Sequence, residues 1–158
     1  MLFRSDNTNQ TQINRIRSHD IGFIFQNYNL LPVLSAVENV EMSVIQSSMK
    51  AKERREQAEY LLEQVGLADR MHNMPSGLSG GQQQRVSVAR SLMGKPKMVL
   101  ADEPTASLDT KNTMQLIDMM LDLNEKLKTT FLFCTHDPTL LKNVHNIIKL
   151  VDGEIVDE

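Results

Sequence analysis

The feature that most constrains the fold of this 158-residue sequence is an alternation of short apolar runs with longer segments of helical pattern. The runs IGFIFQ (21–26), MVLA (98–101) and residues 131–135 have the length and composition of buried strands. The segments 82–93 and 110–127 lie between them and place apolar residues at helical spacing, with Met114, Ile117 and Met120 expected to face inward. Such alternation predicts an α/β domain with a largely parallel sheet flanked by helices.

Two further segments refine this architecture. From residue 35 to residue 70 the pattern is helical, and a helix near Lys50 to Val65 is expected to stop at Gly66. This block predicts a helical subdomain (35–77) inserted between the first core segment (1–34) and the remaining domain (78–158). Near the C-terminus, Asp152-Gly153 joins two short apolar runs and predicts a two-residue hairpin.

Composition disfavours some classes of function, although local basic patches remain possible. A net charge of −3 gives no electrostatic support for nucleic-acid binding. No apolar stretch approaches the ~18 residues of a membrane span, so a membrane role would require a partner that spans the bilayer. The single cysteine, Cys134, lies in the apolar run FLFCT, and we expect it in the core.

The segment GLSGGQQQRVSVAR (77–90) can be interpreted in two ways. Ser79 followed by Gln82 fits a capping box, in which each side chain bonds the other's backbone N–H. The same helix start, flanked by glycines, presents unpaired N–H groups and a partial positive charge that suit a phosphate. Spacing alone leaves both interpretations open.

The segment KMVLADEPTASLD (97–109) places two adjacent carboxylates, Asp102 and Glu103, at the expected carboxyl end of a buried strand. Open α/β sheets bind ligands at that edge. Because successive strand residues point in opposite directions, one carboxylate can reach a Mg²⁺ shell while the other faces an attacking water. A solvated strand end is the alternative.

Together, LSGGQQQR, LADEPT, SLD and CTHD resemble the ATP-binding subunit of ABC transporters, in order and spacing, over essentially the whole chain. The stretch GFIFQNYNLLPVLSAVENVEM is similar to the lipoprotein-releasing and macrolide-export type of these subunits. The resemblance implies a P-loop NTPase-like fold, ATP and Mg²⁺ as ligands, and hydrolysis of ATP to ADP and phosphate.

The resemblance also implies roles for individual residues. Gln26 is similar to the Q-loop glutamine, which approaches Mg²⁺ and the attacking water. Asp102 is similar to the Walker B aspartate in the Mg²⁺ shell, and Glu103 to the catalytic base that polarises water. His136 is similar to the switch histidine that contacts the γ-phosphate.

Other positions resemble parts that act across a dimer of ATP-binding subunits. Ser79, Gly80, Gly81 and Gln82 resemble the signature that closes on ATP held by the opposite subunit. Asp109 resembles the D-loop aspartate that communicates between subunits. The resemblance further implies an integral membrane transporter subunit as partner, a peripheral location on the cytoplasmic face of the membrane, and no nucleic acid.

One expected part is missing from these 158 residues. A P-loop has the pattern Gly-x-x-x-x-Gly-Lys-Ser/Thr. The seven glycines are Gly22, Gly66, Gly77, Gly80, Gly81, Gly94 and Gly153, and none begins or completes that pattern. We therefore expect a chain truncated at its N-terminus, with a marginal fold, exposed apolar surface, and no ATPase activity when isolated.

Three functions remain open at this point. The first is an ATP-hydrolysing subunit that drives a membrane transporter. The second is an ABC-type ATPase coupled to DNA or ribosomes, whose usual long coiled coils or tandem cassettes this sequence lacks. The third is a non-catalytic half-subunit or remnant that lends its signature to the ATP of another subunit.

Overall fold

Three parallel strands form the centre of the molecule. The computed structural model describes residues 19–144 and 146–156, together with residues 13 and 16. The strands are β1 (Ile21–Ile24), β2 (Met98–Asp102) and β3 (Thr130–Cys134), in the order β1-β2-β3. Ile24 pairs with Ala101, and Asp102 pairs with Cys134, so all three strands end at one edge of the sheet. The predicted α/β class with a parallel sheet is confirmed.

Five α-helices and one antiparallel hairpin complete the described fold. The helices are α1 (Ala36–Met42), α2 (Ala51–Gln64), α3 (Gly80–Leu92), α4 (Thr110–Leu127) and α5 (Pro138–Leu141), and 3₁₀ turns occupy Ala68–Arg70 and Pro75–Gly77. The hairpin consists of β4 (Lys149–Val151) and β5 (Glu154–Val156). Its turn residues Asp152 and Gly153 have φ values of 50° and 84°, as a type I′ turn requires.

Side-chain caps occur at the starts of α1, α3 and α4. Ser79 and Gln82 form the predicted capping box at the start of α3. Asp109 caps α4 by accepting a hydrogen bond from the Asn112 N–H. Glu38 accepts hydrogen bonds from both the N–H and the hydroxyl of Ser35 at the start of α1, which lower the pKa of its carboxyl.

The hydrophobic core lies where α1, α2 and α3 meet β1 and β2, and it continues under α4. Its buried members include the following side chains: Ile24, Val37, Val40, Leu61, Leu62, Val86, Val88, Leu92, Val99, Leu116, Met120 and Leu123. Gly22 permits the close approach of β1 to α3, because a Cβ there would overlap the Ser91 carbonyl oxygen. The division of the chain into segments 1–34, 35–77 and 78–158 stays a prediction.

Two sequence-based expectations about burial are wrong. Met114 was expected to face inward, but it is exposed, because the buried face of α4 runs through Thr113, Leu116 and Met120. Cys134 was expected in the core, but it is also exposed. Phe131 and Phe133 are the side chains of β3 that pack against the core, and the alternation of a strand turns Cys134 to the other face.

The expected exposed apolar surface is present around β3 and the hairpin. Leu132 on β3 is 44% exposed, and Ile148, just before the hairpin, is 65% exposed. A cleft of about 380 Å³ lies between α4, β3, α5 and residues 146–148. The expectation of marginal stability stays a prediction. None of the helices in the described part of the chain has the length and apolar character to cross a membrane.

Candidate functional site

The predicted site residues fall into two groups, the first of which lies at the carboxyl edge of the sheet. Asp102 is the last residue of β2, and Glu103 follows it. His136 lies two residues beyond β3, and Gln26 lies two residues beyond β1. Since the three strands are parallel and in register, the sequence segments that carry these side chains all emerge at the same edge.

The backbone of Glu103 is held in an unusual conformation. Its φ is 45°, in the left-handed region that non-glycine residues rarely occupy. The Glu103 N–H donates to the Cys134 carbonyl oxygen at 2.9 Å, which continues the pairing of β2 with β3. Backbone strain of this kind occurs preferentially at functional sites. It marks Glu103 as a residue whose position is determined by its surroundings.

The Glu103 carboxylate has two side-chain partners. His136 Nδ1 lies 2.6 Å from Glu103 Oε1, and the Thr135 hydroxyl donates to Oε2 at 3.1 Å. The Glu103 side chain is 23% exposed, whereas that of His136 is 88% exposed. A half-buried carboxylate held at both oxygens and open to solvent on one side can orient a water and accept its proton.

The sequence interpretation missed the hydroxyl and carboxylate groups that support this pair. The Thr135 hydroxyl also accepts from the Asp137 N–H at 3.0 Å, and the Thr105 hydroxyl donates to Asp137 Oδ2 at 2.9 Å. Hydrogen bonds from the Thr139 N–H and the Thr105 hydroxyl lower the pKa of Asp137. Their only sequence signal is that they flank the predicted residues Glu103 and His136.

Asp102 offers an uncommitted carboxylate at the same edge. It is exposed, and among the described residues its side chain forms no hydrogen bond or ion pair. No group of three or more His, Cys, Asp or Glu side chains that could hold a metal occurs in the described ranges. Mg²⁺ is usually held by one or two carboxylates together with water and substrate phosphates. The exposed Asp102 carboxylate is compatible with Mg²⁺ that is shared with a bound phosphate, and its role as a metal ligand stays a prediction.

The second group lies at the start of α3. Ser79 Oγ accepts from the Gln82 N–H at 3.3 Å, and Gln82 Oε1 accepts from the Ser79 N–H at 2.9 Å. An α-helix leaves the N–H groups of its first turn without intrahelical partners. The capping interpretation is therefore confirmed, while phosphate binding by the first-turn N–H groups stays a prediction.

Asp109 joins this second group through Asn112. Asp109 Oδ1 accepts from the Asn112 N–H at 2.9 Å, and Oδ2 accepts from the Asn112 amide at 2.6 Å. These bonds lower the pKa of the Asp109 carboxyl. A Cβ at Gly81 would lie 3.2 Å from Asn112 Oδ1, so the start of α3 and the start of α4 are in contact.

Gln84, which sequence reasoning also missed, connects the two groups. It is fully buried on α3, and its Nε2 donates to the Pro104 carbonyl oxygen at 2.8 Å, directly after Glu103. The signal was available in the helical period, since Gln84 and Val88 lie on one buried face of α3 while Gln82 is only half-buried. No hydrogen bond among the described residues joins Ser79–Gln82 directly to Glu103 or His136.

Comparisons with known proteins identify the family to which this arrangement belongs. The family model for ABC transporter matches residues 1–106. An ABC transporter ATP-binding protein of Bacillus subtilis, YknY, is 48% identical over 141 residues, which are 89% of this chain and 61% of that protein. The lipoprotein-releasing system ATP-binding protein LolD of Aquifex aeolicus is 39% identical over 97% of this chain and 68% of its own length.

Two further similarities extend the comparison. The macrolide export ATP-binding/permease protein MacB of Marinobacter nauticus is 44% identical over 93% of this chain and 23% of its own length. The solved dimeric ATP-binding cassette MJ0796, in a post-hydrolysis state bound to ADP and phosphate, superposes with a TM-score of 0.78 at 40% identity. The superposition covers 94% of this chain and 66% of that structure.

This chain belongs to the ABC transporter family, and its described part has the fold of an ABC ATP-binding cassette. It spans 61% of the Bacillus subtilis relative. The predicted family, fold and relation to lipoprotein-release and macrolide-export proteins are thus confirmed.

Proposed function

We propose that this chain supplies the hydrolytic and signature parts of an ATPase that drives a membrane transporter. The observation that carries the proposal is the pair formed by Glu103 and His136, with 2.6 Å between Oε1 and Nδ1. The pair lies at the carboxyl edge of a parallel sheet, where nucleotides bind in open α/β folds. Membership of the ABC transporter family supports ATP as the nucleotide.

In the proposed mechanism Glu103 acts as the general base. Its carboxylate accepts the proton of the water whose oxygen bonds the γ-phosphorus in line, while the bond from that phosphorus to the bridging oxygen breaks and ADP leaves. His136 orients Glu103 and contacts the phosphate. Thr135 holds the second carboxylate oxygen, which fixes the rotation of the group. Asp102 and Gln26 would hold Mg²⁺, which neutralises negative charge on the phosphates when bound.

A second ATP-binding subunit is part of the proposal. Ser79–Gln82 would close on ATP held by the opposite subunit, with the first-turn N–H groups of α3 facing its γ-phosphate. Asp109, which contacts this region through Asn112, would communicate the closure of one subunit to the other. The dimeric state of the solved relative supports this arrangement.

A membrane subunit is the proposed partner on the other side. Leu31 and Val33, in the loop after β1, are 42% and 78% exposed, and Met42 and Ile45 at the end of α1 are also exposed. Apolar side chains in one exposed region are typical of a protein interface. Together with the LolD and MacB relatives, they support a peripheral cassette on the cytoplasmic face, of the export or lipoprotein-release type.

The test of this function uses two proteins. The 158-residue chain, which has no P-loop pattern, should not hydrolyse MgATP. A chimera that adds the N-terminal portion of YknY should hydrolyse it, measured as phosphate released per minute. In that chimera Glu103→Gln should lower kcat by roughly 10²- to 10⁴-fold, because it removes the general base.

Glu154→Gln is the matched control, because Glu154 is exposed on β5 and the substitution removes the same charge as Glu103→Gln. Its kcat should equal that of the unmodified chimera. Full activity in the Glu103→Gln chimera would exclude Glu103 as the base. Sustained turnover by the 158-residue chain alone would contradict the need for an added phosphate-binding loop.

A further inference from the structure

We propose that Arg90 is a positioning residue that ties the loop after β1 to the helix that carries Ser79–Gln82. The loop comprises residues 25–35 and begins with the segment that holds Gln26. Arg90 lies in the third turn of α3, at the end of the segment 77–90, and the family resemblance implies no role for it. The significance of this tie for ATP hydrolysis rests on the proposed function, but the tie itself is a property of this chain.

The first contact is a two-point hydrogen bond from Arg90. Nη2 donates to the Tyr28 carbonyl oxygen at 2.7 Å, and Nη1 donates to the Asn29 carbonyl oxygen at 2.5 Å. Tyr28 and Asn29 have φ values of 55° and 50°, so two consecutive non-glycine residues adopt the left-handed conformation. Such a backbone persists only where its surroundings hold it, and Arg90 bonds both of its carbonyls.

The geometry of this contact explains why the residue is an arginine. No carboxylate pairs with Arg90 in the described part of the chain, and burial lowers the pKa of its guanidinium. Its role is therefore not charge pairing. A planar guanidinium offers two donors in a fixed fork that match two neighbouring carbonyl oxygens, whereas a lysine ammonium is a single point donor.

A second anchor holds the far end of the loop. Asn39 on α1 is buried and accepts from the Leu31 N–H at 2.7 Å. Its amide nitrogen donates to the carbonyl oxygens of Leu31, Leu34 and Ser35 at 3.1, 2.9 and 3.0 Å. The loop is thus fixed by Arg90 at residues 28–29 and by Asn39 at residues 31–35.

The loop also touches the beginning of α3. A Cβ at Gly80 would lie 3.0 Å from the Tyr28 hydroxyl oxygen, so the tyrosine side chain reaches the first residue of that helix. Gly80 and Arg90 are separated by about 15 Å of helix at 1.5 Å per residue. Two contacts so far apart let α3 move with the loop as one body, and a displacement near Gln26 would shift Ser79–Gln82.

The experiment measures amide hydrogen exchange in the 158-residue chain without nucleotide or partner. Arg90→Gln should accelerate exchange at Tyr28, Leu31 and Leu34 by at least about tenfold, while β2 amides keep their rates. Arg90→Lys, which keeps the charge and stem, should give an intermediate rate. Arg85→Gln is the matched control, since Arg85 also lies on α3 but donates to Val65 O and Gln115.

Unchanged exchange at Tyr28 and Leu31 in Arg90→Gln would overturn the proposal, as would equal acceleration in Arg85→Gln. Wild-type exchange rates in Arg90→Lys would show that the two-donor guanidinium is not required. This variant can still be measured if Arg90→Gln fails to fold. Because no ATP is present, failure of the proposed ATPase function leaves these outcomes unaffected.

A second readout follows the contact between Tyr28 and Gly80. The chain has two tyrosines and no tryptophan, so Tyr60→Phe leaves Tyr28 as the single fluorescent reporter. In that background Gly80→Ala should change acrylamide quenching of Tyr28, and Arg90→Gln should increase it. Gly77→Ala is the control, because a Cβ there meets only Asn73 at 3.6 Å. Equal quenching in all four proteins would overturn the contact.

Discussion

The helical block formed by α1, α2 and α3 differs sharply in burial from the region formed by β3 and the hairpin. In the helical block most aliphatic side chains are enclosed, as with Leu62, which is 0% exposed, and Met42 at the end of α1 is an exception. In the hairpin they face solvent, as with Leu150, which is 66% exposed. The strands TFLFC, KLV and EIV are more apolar than helices such as AKERREQAEYLLEQ, so composition does not account for the difference.

The difference shows which apolar faces are packed against other elements of this chain. The apolar faces of α1 and α2 pack on each other and on α3, which also contacts β1. The outer face of β3 and both faces of the hairpin have no packing layer among the described residues. Since local stability follows buried apolar contact, we expect the helical block to be the last part to open.

The largest effect that tests this comparison is a cavity in the helical block. Leu62→Ala should lower the free energy of unfolding by about 2–5 kcal/mol, because the side chain is fully buried on α2. Leu150→Ala, the same change on the exposed hairpin, should alter it by less than about 0.5 kcal/mol. Urea unfolding followed by circular dichroism measures both values. Equal losses would contradict the difference between the regions.

A smaller effect is expected from a buried polar group in the helical block. Asn39→Ala removes four hydrogen bonds to the loop after β1 and should cost about 2 kcal/mol in unfolding free energy. Asn124→Ala is the control on α4, where one exposed amide donates to the Thr129 carbonyl oxygen, and it should cost about 1 kcal/mol or less. A larger loss in the control would contradict the expectation that the buried asparagine of the helical block contributes more than an exposed one.

The smallest effect concerns the dependence of stability on pH near β3. Hydrogen bonds lower the pKa of Asp137 in the folded chain, so its stabilising contribution is present above its unfolded pKa of about 3.9 and is lost as pH falls through the folded value. Asp137→Asn should cost less than about 1 kcal/mol near pH 6, because asparagine also caps α5.

The difference in unfolding free energy between wild type and Asp137→Asn should shrink as the pH is lowered from about 5 to about 2. Urea titrations at several pH values test this, and subtraction of the variant removes the contributions of Glu38 and Asp109, whose pKa values are also lowered. A constant difference across this range would show that the Asp137 carboxylate does not contribute through its charge.

The sequence predicts the elements whose signals are local. The bounds of α4, the hairpin turn at Asp152-Gly153 and the Ser79–Gln82 capping box follow from period, turn residues and cap spacing. The wrong predictions for Met114 and Cys134 have different causes. For Met114, periodicity indicates that a face of the helix is apolar, but only the packed neighbours determine which residue occupies its centre. Cys134 lies in an apolar run, but the alternation of a strand turns it to the face opposite the core.

The candidate site is predictable in its residue types but not in its connections. The sequence predicts Glu103 at the end of a buried strand, and the resemblance implies that His136 contacts the γ-phosphate. The structure brings the two side chains within hydrogen-bonding distance. The bonds from Thr135 to Glu103 and from Gln84 to Pro104 join residues 32 and 20 positions apart. Such contacts depend on the register of β2 with β3 and on the seating of α3, which a single sequence does not encode locally.

At Glu103 the backbone is left-handed, so the residue that would be most stable there differs from the residue that the proposed activity needs. Glycine would adopt that backbone without steric strain, whereas glutamate is held there by the β2–β3 pairing and by contacts to its carboxylate. A search for stabilising substitutions guided by conformation alone would therefore replace the proposed base. In this protein, the residue that best suits the local fold and the residue that can perform the chemistry are not the same.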